Sequence, residues 1–220
     1  NNESYTLIPP GTYEYKLFWK DVKDKCINGF TNSKGIRITG HHFFYLNFCR
    51  IQAKDDLIKK KVEMFPRFID LDFEYFHMIE FCEKNEKCLT AVKGRRQGWS
   101  YKAAAICAWE FTFFPSFSLE TMRMTIENLN WLNANSEFAQ ARTPDLKEHI
   151  VGRYEATIGG IKVWKGTKAQ VRSISFKDNP TAAVGKSASK LILDEAGVFP
   201  NITDTWGYTE PLIKAGSSFS

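Results

Sequence analysis

The sequence predicts an α/β fold, with a mostly parallel central sheet flanked by helices and an N-terminal appendage packed on it. Three observations predict this. Helical patterns and β-prone runs alternate from about residue 70 onward. A glycine-containing loop at 93–100 lies between a β-prone run and a helix. The apolar run Leu191-Ile192-Leu193 ends in two adjacent carboxylates, Asp194 and Glu195.

Residues 1–65 make up the expected appendage. They are rich in aromatic and turn residues: Tyr13, Tyr15, Phe18 and Trp19, then Gly29, Asn32, Gly35 and Gly40, then the run His42 through Phe48. A charged interruption at 55–61 and Pro66 close this portion. The core is expected over 66–220. Phe73, Phe76, His77, Glu80 and Phe81 suit a helix with one apolar face, and Asp72 suits its N-cap. Leu89-Thr90-Ala91-Val92 reads as a short strand entering the loop. Residues 100–110 form a strong helix, with Ala103, Ala104, Ala105 and Ala108 and no breaker. Ser118 is expected to open a second helix, with Glu120 near its start and Met122, Met124, Ile126, Leu129 and Leu132 along it. A polar stretch at 133–147 follows. Strand-like runs at 160–165, 170–176 and 190–194 complete the alternation.

With 220 residues and 43% hydrophobic content, the chain has material for one core plus an appendage. No run of 18 apolar residues occurs, so no membrane-spanning helix is expected. The start, Asn1-Asn2-Glu3-Ser4, carries neither an initiator Met nor a leader pattern and reads as an internal start. The net charge of +5 permits a polyanionic partner without demanding one. Cys26, Cys49, Cys82, Cys88 and Cys107 include no C-x-x-C pair and read as reduced thiols of a cytosolic protein. His41, His42 and His77 lack the paired short spacing of a structural zinc site.

The loop Lys93-Gly94-Arg95-Arg96-Gln97-Gly98-Trp99-Ser100 is a variant of the phosphate-binding pattern G-x-x-x-x-G-K-[ST]. In the standard loop, backbone N–H groups and the following helix N-terminus hold the phosphates. The lysine reaches the β/γ oxygens and the hydroxyl binds Mg²⁺. Here the interval between the glycines is one residue short and Trp99 occupies the lysine position. Gly98-Trp99-Ser100 keeps the turn and the hydroxyl but loses the usual cation. Lys93, Arg95 and Arg96 put positive charge in the loop. A flexible lysine at the loop's start would curl back over the phosphates, with Lys102 in the first helical turn as its rival. Read alone, the segment is equally a basic turn with Trp99 as a core anchor.

The second motif places Asp194 and Glu195 at the C-terminal end of a strand apolar enough to be buried on both faces, where ligands bind in open α/β sheets. The first carboxylate suits Mg²⁺. The second suits the water that attacks a γ-phosphate.

With both motifs placed, the chain resembles the ATPase domain of the large terminase subunit of tailed double-stranded DNA phages. The resemblance is carried by the loop continuing through Tyr101-Lys102-Ala103-Ala104, as Walker A, and by Leu191-Ile192-Leu193-Asp194-Glu195-Ala196, as Walker B. Gly40-His41-His42-Phe43-Phe44-Tyr45-Leu46-Asn47-Phe48-Cys49 and residues 70–80 look similar as well, so it spans about residues 40–200. Some family members have the lysine at the loop's start and an aromatic after the glycine, as Lys93 and Trp99 stand here.

The resemblance implies a P-loop NTPase fold and Mg²⁺-dependent ATP hydrolysis coupled to moving double-stranded DNA into a procapsid. Lys93 would sense phosphate, Arg96 or Arg95 would be the loop arginine, and Glu195 the catalytic carboxylate. Ser100 and Asp194 would hold Mg²⁺. ATP would lie against Lys93, Gly94, Arg95, Arg96, Gln97, Gly98, Trp99, Ser100 and Tyr101, with Tyr75 or Phe76 at the adenine. Arg142, Arg153 and Arg172 are available as a trans-acting arginine. Where the family often has a positive residue before a glycine, Val184 precedes Gly185 and Lys186 follows. The implied partners are the DNA backbone, a portal protein, a small terminase subunit and further copies in a ring. The implied setting is the host cytoplasm and, transiently, the procapsid portal. The family's coupling motif and nuclease domain are not in this sequence, so DNA cleavage is not expected of it. A helicase-like or remodelling ATPase would share both motifs. A non-hydrolysing P-loop scaffold would share the fold, but Glu195 argues against it.

Overall fold

The structure is a computed structural model that describes residues 8–54, 60–94, 97–113, 117–119, 150–158, 161–171, 180–181, 184, 190–198 and 201–216. The chain separates into two units, residues 1–106 and 107–220.

Aromatic packing builds the first unit. Helix α1 (Tyr13–Asn28) starts at Thr12, whose hydroxyl accepts the Tyr15 N–H at 3.2 Å. It buries Trp19, Val22 and Cys26, spaced to share one face. Two short strands, β1 (Phe30–Thr31) and β2 (Arg37–Ile38), pair antiparallel and lead to Thr39, which caps α2 (Gly40–Phe48) through the His42 N–H at 3.3 Å. Helix α2 is buried nearly all round, through Gly40, His41, His42, Phe44, Tyr45 and Phe48, and so behaves as a core element. On one side Phe48 meets Trp19, with ring centroids 6.4 Å apart. On the other, His42 and Tyr45 meet Phe76 of α3 (Asp70–Lys84) at 5.1 and 5.3 Å. Each such ring pair adds about 0.5–1.5 kcal/mol beyond the area it buries.

Helices α1 and α2 approach so closely that backbone meets backbone. A Cβ on Gly40 would lie 2.3 Å from the Cys26 carbonyl oxygen and 2.7 Å from that of Ile27. Arg37 fastens β2 to α3, donating to the Asn28 carbonyl at 2.9 Å and to Glu80 at 2.8 Å, with Lys84 3.2 Å from the same carboxylate. Burial pushes the Glu80 carboxyl up, but Arg37 and Lys84 outweigh it and hold it below its ordinary value. The antiparallel hairpin β3 (Ile51–Lys54) and β4 (Lys61–Met64) is pinned at its base by Arg50, which donates to Glu63 at 3.1 Å and covers the Phe65 ring at 4.5 Å.

Helix α4 (Trp99–Phe113) runs across the division at 106/107. In the second unit, β5 (Phe117–Leu119), β6 (Ile150–Ile158), β7 (Ile161–Val171) and β8 (Lys190–Leu191) form a mixed sheet in the order β6-β7-β5-β8. Strands β6 and β7 make a long antiparallel hairpin, while β5 runs parallel to β7 and to β8 over two residue pairs each. Lys190 of β8 is ion-paired with Glu110 of α4 and lies 5.7 Å over the Trp109 ring. A short 3₁₀ turn (Ala196–Val198) and helix α5 (Ile202–Gly216) follow. Among the described residues, no helix is long and apolar enough to cross a membrane.

The helix expected over 100–110 is present and slightly longer. The other elements depart from expectation for physical reasons. Asp72 is not an N-cap: α3 begins two residues earlier, Ile69 stands at the cap position without a side-chain bond, and Asp72 is drawn inward by Lys102. The run 89–92 is not a strand. Leu89 is 37% and Val92 100% exposed, and no described strand pairs with the run, so its β-propensity goes unused. Ser118 lies in β5 rather than opening a helix, and residues 120–147 fall outside the described ones. Strand β7 (Ile161–Val171) joins the described parts of the runs expected at 160–165 and 170–176 into one, as the inner strand of the long hairpin, and residues 160 and 172–176 lie outside the described residues. The strand expected at 190–194 shortens to Lys190–Leu191, and Ile192 and Leu193 are half-buried rather than covered on both faces.

Gly40→Ala is expected to cost about 1–3 kcal/mol through overpacking of the α1–α2 contact, read as a lower urea midpoint. His42 gives a pH signature. It is fully buried, its ring stacks on Phe68 and Phe76 at 5.1 Å each, and neither ring nitrogen has a hydrogen-bond partner among the described residues. Burial, reinforced by His77, lowers its pKa from 6.5 to about 4. Because the fold prefers the neutral ring, this contribution to stability is complete above pH 6.5 and is lost as pH falls toward 4, up to about 3 kcal/mol. Urea titrations across that window should show the loss, and His42→Phe should remove it.

Candidate phosphate-loop site

The loop's second half is set by α4. Gly98 precedes the helix with φ +65°, a left-handed conformation that suits glycine, and its carbonyl accepts the Lys102 N–H at 3.3 Å. The Lys102 side chain folds back beneath the loop. Its Nζ donates to the Gln97 carbonyl at 2.6 Å and stands 2.7 Å from Asp72 Oδ1, with the two side chains only 3% and 4% exposed. Burial raises the Asp72 pKa, and the Lys102 ammonium opposes that rise. Lys102 is thus committed inside the protein. Lys93 is exposed and has no ion-pair partner among the described residues.

Helices α3 and α4 meet through two matched pairs. Asp72 faces Lys102, and Tyr75 faces Trp99 with ring centroids 4.3 Å apart. The members lie three residues apart on each helix, so each helix presents both from one side. Tyr75 and Trp99 are half-buried, and Trp99 directly follows Gly98, while Phe76 is fully buried against His42 and Tyr45 and offers no ring face to a ligand. The Tyr101 hydroxyl accepts the Gln52 N–H at 3.2 Å, tying β3 to α4. Ser100 lies half-buried in the first turn and Gln97 is exposed. A Cβ on Gly94 would meet only Gln97 Nε2, at 3.8 Å, so no described atom demands glycine there. Arg95 and Arg96 lie outside the described residues, as do Arg142, Arg172, Gly185 and Lys186. Arg153 lies on β6 next to a register shift, and Val184 is exposed.

The carboxylates belong to the second unit. After Ile192-Leu193, which lie beyond the end of β8, the chain turns at Asp194 and Glu195 into the 3₁₀ segment. Glu195 has φ +56°, a left-handed conformation that costs a non-glycine residue about 1–3 kcal/mol and recurs at functional sites. It is exposed, whereas Asp194 is half-buried with its Oδ1 sealed from solvent. A serine hydroxyl and an aspartate carboxylate are hard oxygen donors of the kind Mg²⁺ takes, usually with phosphate and water completing the shell. Among the described residues, no group of three or more His, Cys, Asp or Glu side chains gathers around a metal position. The residue that sequence reasoning missed is Asp72, whose role depends on a partner at position 102 that no local pattern announces.

Comparison with protein-family models, curated proteins and solved structures finds no match.

The two lysines should separate in stability measurements. Lys102→Ala leaves Asp72 buried and unpaired and is expected to cost about 3–5 kcal/mol. Lys93→Ala, on the surface, should stay within about 0.5 kcal/mol of the parent in the same urea titration.

Proposed function

We propose that this chain is the ATP-hydrolysing motor domain of a viral genome-packaging terminase, built on a P-loop NTPase fold. Its Mg²⁺–ATP cycle would drive double-stranded DNA into a procapsid. The observation that carries the reading is the division between the two lysines. A loop lacking the standard lysine needs a cation free to reach phosphate. Lys102 is committed to Asp72 and Gln97, while Lys93 is exposed at the loop's start. The left-handed Gly98 before α4 and the left-handed Glu195 after the apolar run add support.

In this reading Lys93 and the loop arginine, Arg96 or Arg95, neutralise the phosphates. Glu195 orients and deprotonates the attacking water, and its exposure leaves room for that water. Ser100 and Asp194 would hold Mg²⁺, which when bound neutralises charge on the β and γ oxygens. The burial of Phe76 favours Tyr75, beside Trp99, as the adenine contact. Phosphoryl transfer to water asks mainly for positioning and charge stabilisation, with no covalent intermediate on a side chain. Contact with DNA is to the backbone, because a translocase must ignore sequence. A ring of copies, a portal protein and a small terminase subunit in the host cytoplasm complete the proposed setting.

Calorimetry with Mg²⁺–ATP tests the reading. Lys93→Ala should weaken binding about tenfold or more, equivalent to about 1.4 kcal/mol. Glu195→Gln should keep binding and lose turnover by about 100-fold or more. No ATP binding by the parent chain would sink the reading. Binding without turnover would favour a P-loop scaffold.

A further inference from the structure

The buried Asp72–Lys102 pair has a role that its contacts define. Lys102 does not simply balance Asp72, since its ammonium also takes the Gln97 carbonyl at 2.6 Å. That carbonyl belongs to the peptide joining Gln97 to Gly98. No cis peptide occurs among the described residues, so the C=O and N–H of this unit point in opposite directions. With the oxygen held inward by Lys102, the Gly98 N–H faces away from the ion pair. The left-handed Gly98 then turns the chain directly into α4. Successive backbone N–H groups arranged in this way form the concave donor set that receives an anion.

We propose that Asp72 and Lys102 are positioning residues: an internal ion-pair latch that fixes the Gln97–Gly98 peptide so that the Gly98 N–H is aimed at the incoming phosphate. This deepens the ATP-binding reading and rests on it. Lys102 acts through the peptide and does not touch nucleotide. Asp72 balances the charge of the buried ammonium, Lys102 itself holds the Gln97 carbonyl, and the Tyr75–Trp99 contact joins the two helices beside it. The latch explains how a loop without the usual lysine keeps a fixed backbone. One cation, Lys102, organises the donor groups from behind, leaving another, Lys93, to meet the ligand from the front.

The test compares two full-length variants: Asp72→Asn alone, and Asp72→Asn with Lys102→Met. Both remove the buried ion pair, and only the second removes the Gln97 contact. The expected result is that adding Lys102→Met weakens Mg²⁺–ATP binding about tenfold or more. Amide exchange across residues 97–99 should also speed up about tenfold or more, although the double variant, freed of an unpaired buried ammonium, melts no lower than Asp72→Asn alone. Unchanged binding overturns the proposal, whatever the exchange does. Unchanged exchange overturns it as well. If even the parent chain binds no Mg²⁺–ATP, the ATPase reading fails, and exchange alone decides the latch: faster exchange sustains a fixed peptide and equal exchange ends it. Should the methionine variant not fold, Lys102→Gln in the same background is judged by the same rule.

Discussion

One buried ion pair ties the aromatic-packed helices of the first unit to the loop before α4. Asp72 and Lys102 come from helices separated by the whole stretch leading to the loop, and both are nearly sealed from water. Such a pair is weak evidence for stability, because desolvation consumes much of the attraction between its charges. Its value is geometric. It allows α3 and α4 one relative position, and it reaches the loop through a single carbonyl. Other titratable groups buried in this unit are pushed toward neutrality. Burial and the neighbouring Asp72 hold the Tyr45 phenol above its usual range, burial raises the thiols of Cys26 and Cys49, and His42 is kept uncharged. Within this aromatic interior, charge is retained where it positions the backbone.

The parts of the fold legible in the sequence are those in which local preference and tertiary demand agree. Helix α4 is alanine-rich and unbroken, and α3 has a clear apolar face, so both could be read directly. Helix α2 could not, because a helix buried on every side has no polar face and shows no 3.6-residue period. Its Gly-His-His-Phe-Phe run stood out as a resemblance rather than as an element. Residues 89–92 show the opposite failure, β-prone residues with no partner to pair with.

The candidate site was legible as a pattern rather than as an arrangement. The loop's glycine spacing, Ser100 and the Asp194-Glu195 step are all visible in one dimension. Lys93 stood ahead of Lys102 for its place at the loop's start, but what removes Lys102 as a ligand-facing cation is a carboxylate thirty positions upstream. Tyr75 and Phe76 were equal candidates until burial separated them, since adjacent residues on a helix face different surroundings. The left-handed backbone at Glu195 carries no sequence signal either. Glycine or asparagine would have announced it.

The contact between α1 and α2 bears on how the chain finds its fold. Gly40 meets the end of α1 across a connection of only about ten residues, and closing so short a loop costs little chain entropy. Low sequence separation of this kind favours rapid assembly. The Asp72–Lys102 pair spans a longer stretch, and its charges attract strongly enough to offset their desolvation only when the surroundings that exclude water are already in place. Residues 13–48 therefore supply an entropically inexpensive platform, and the charged junction that shapes the loop belongs to a later, more demanding closure.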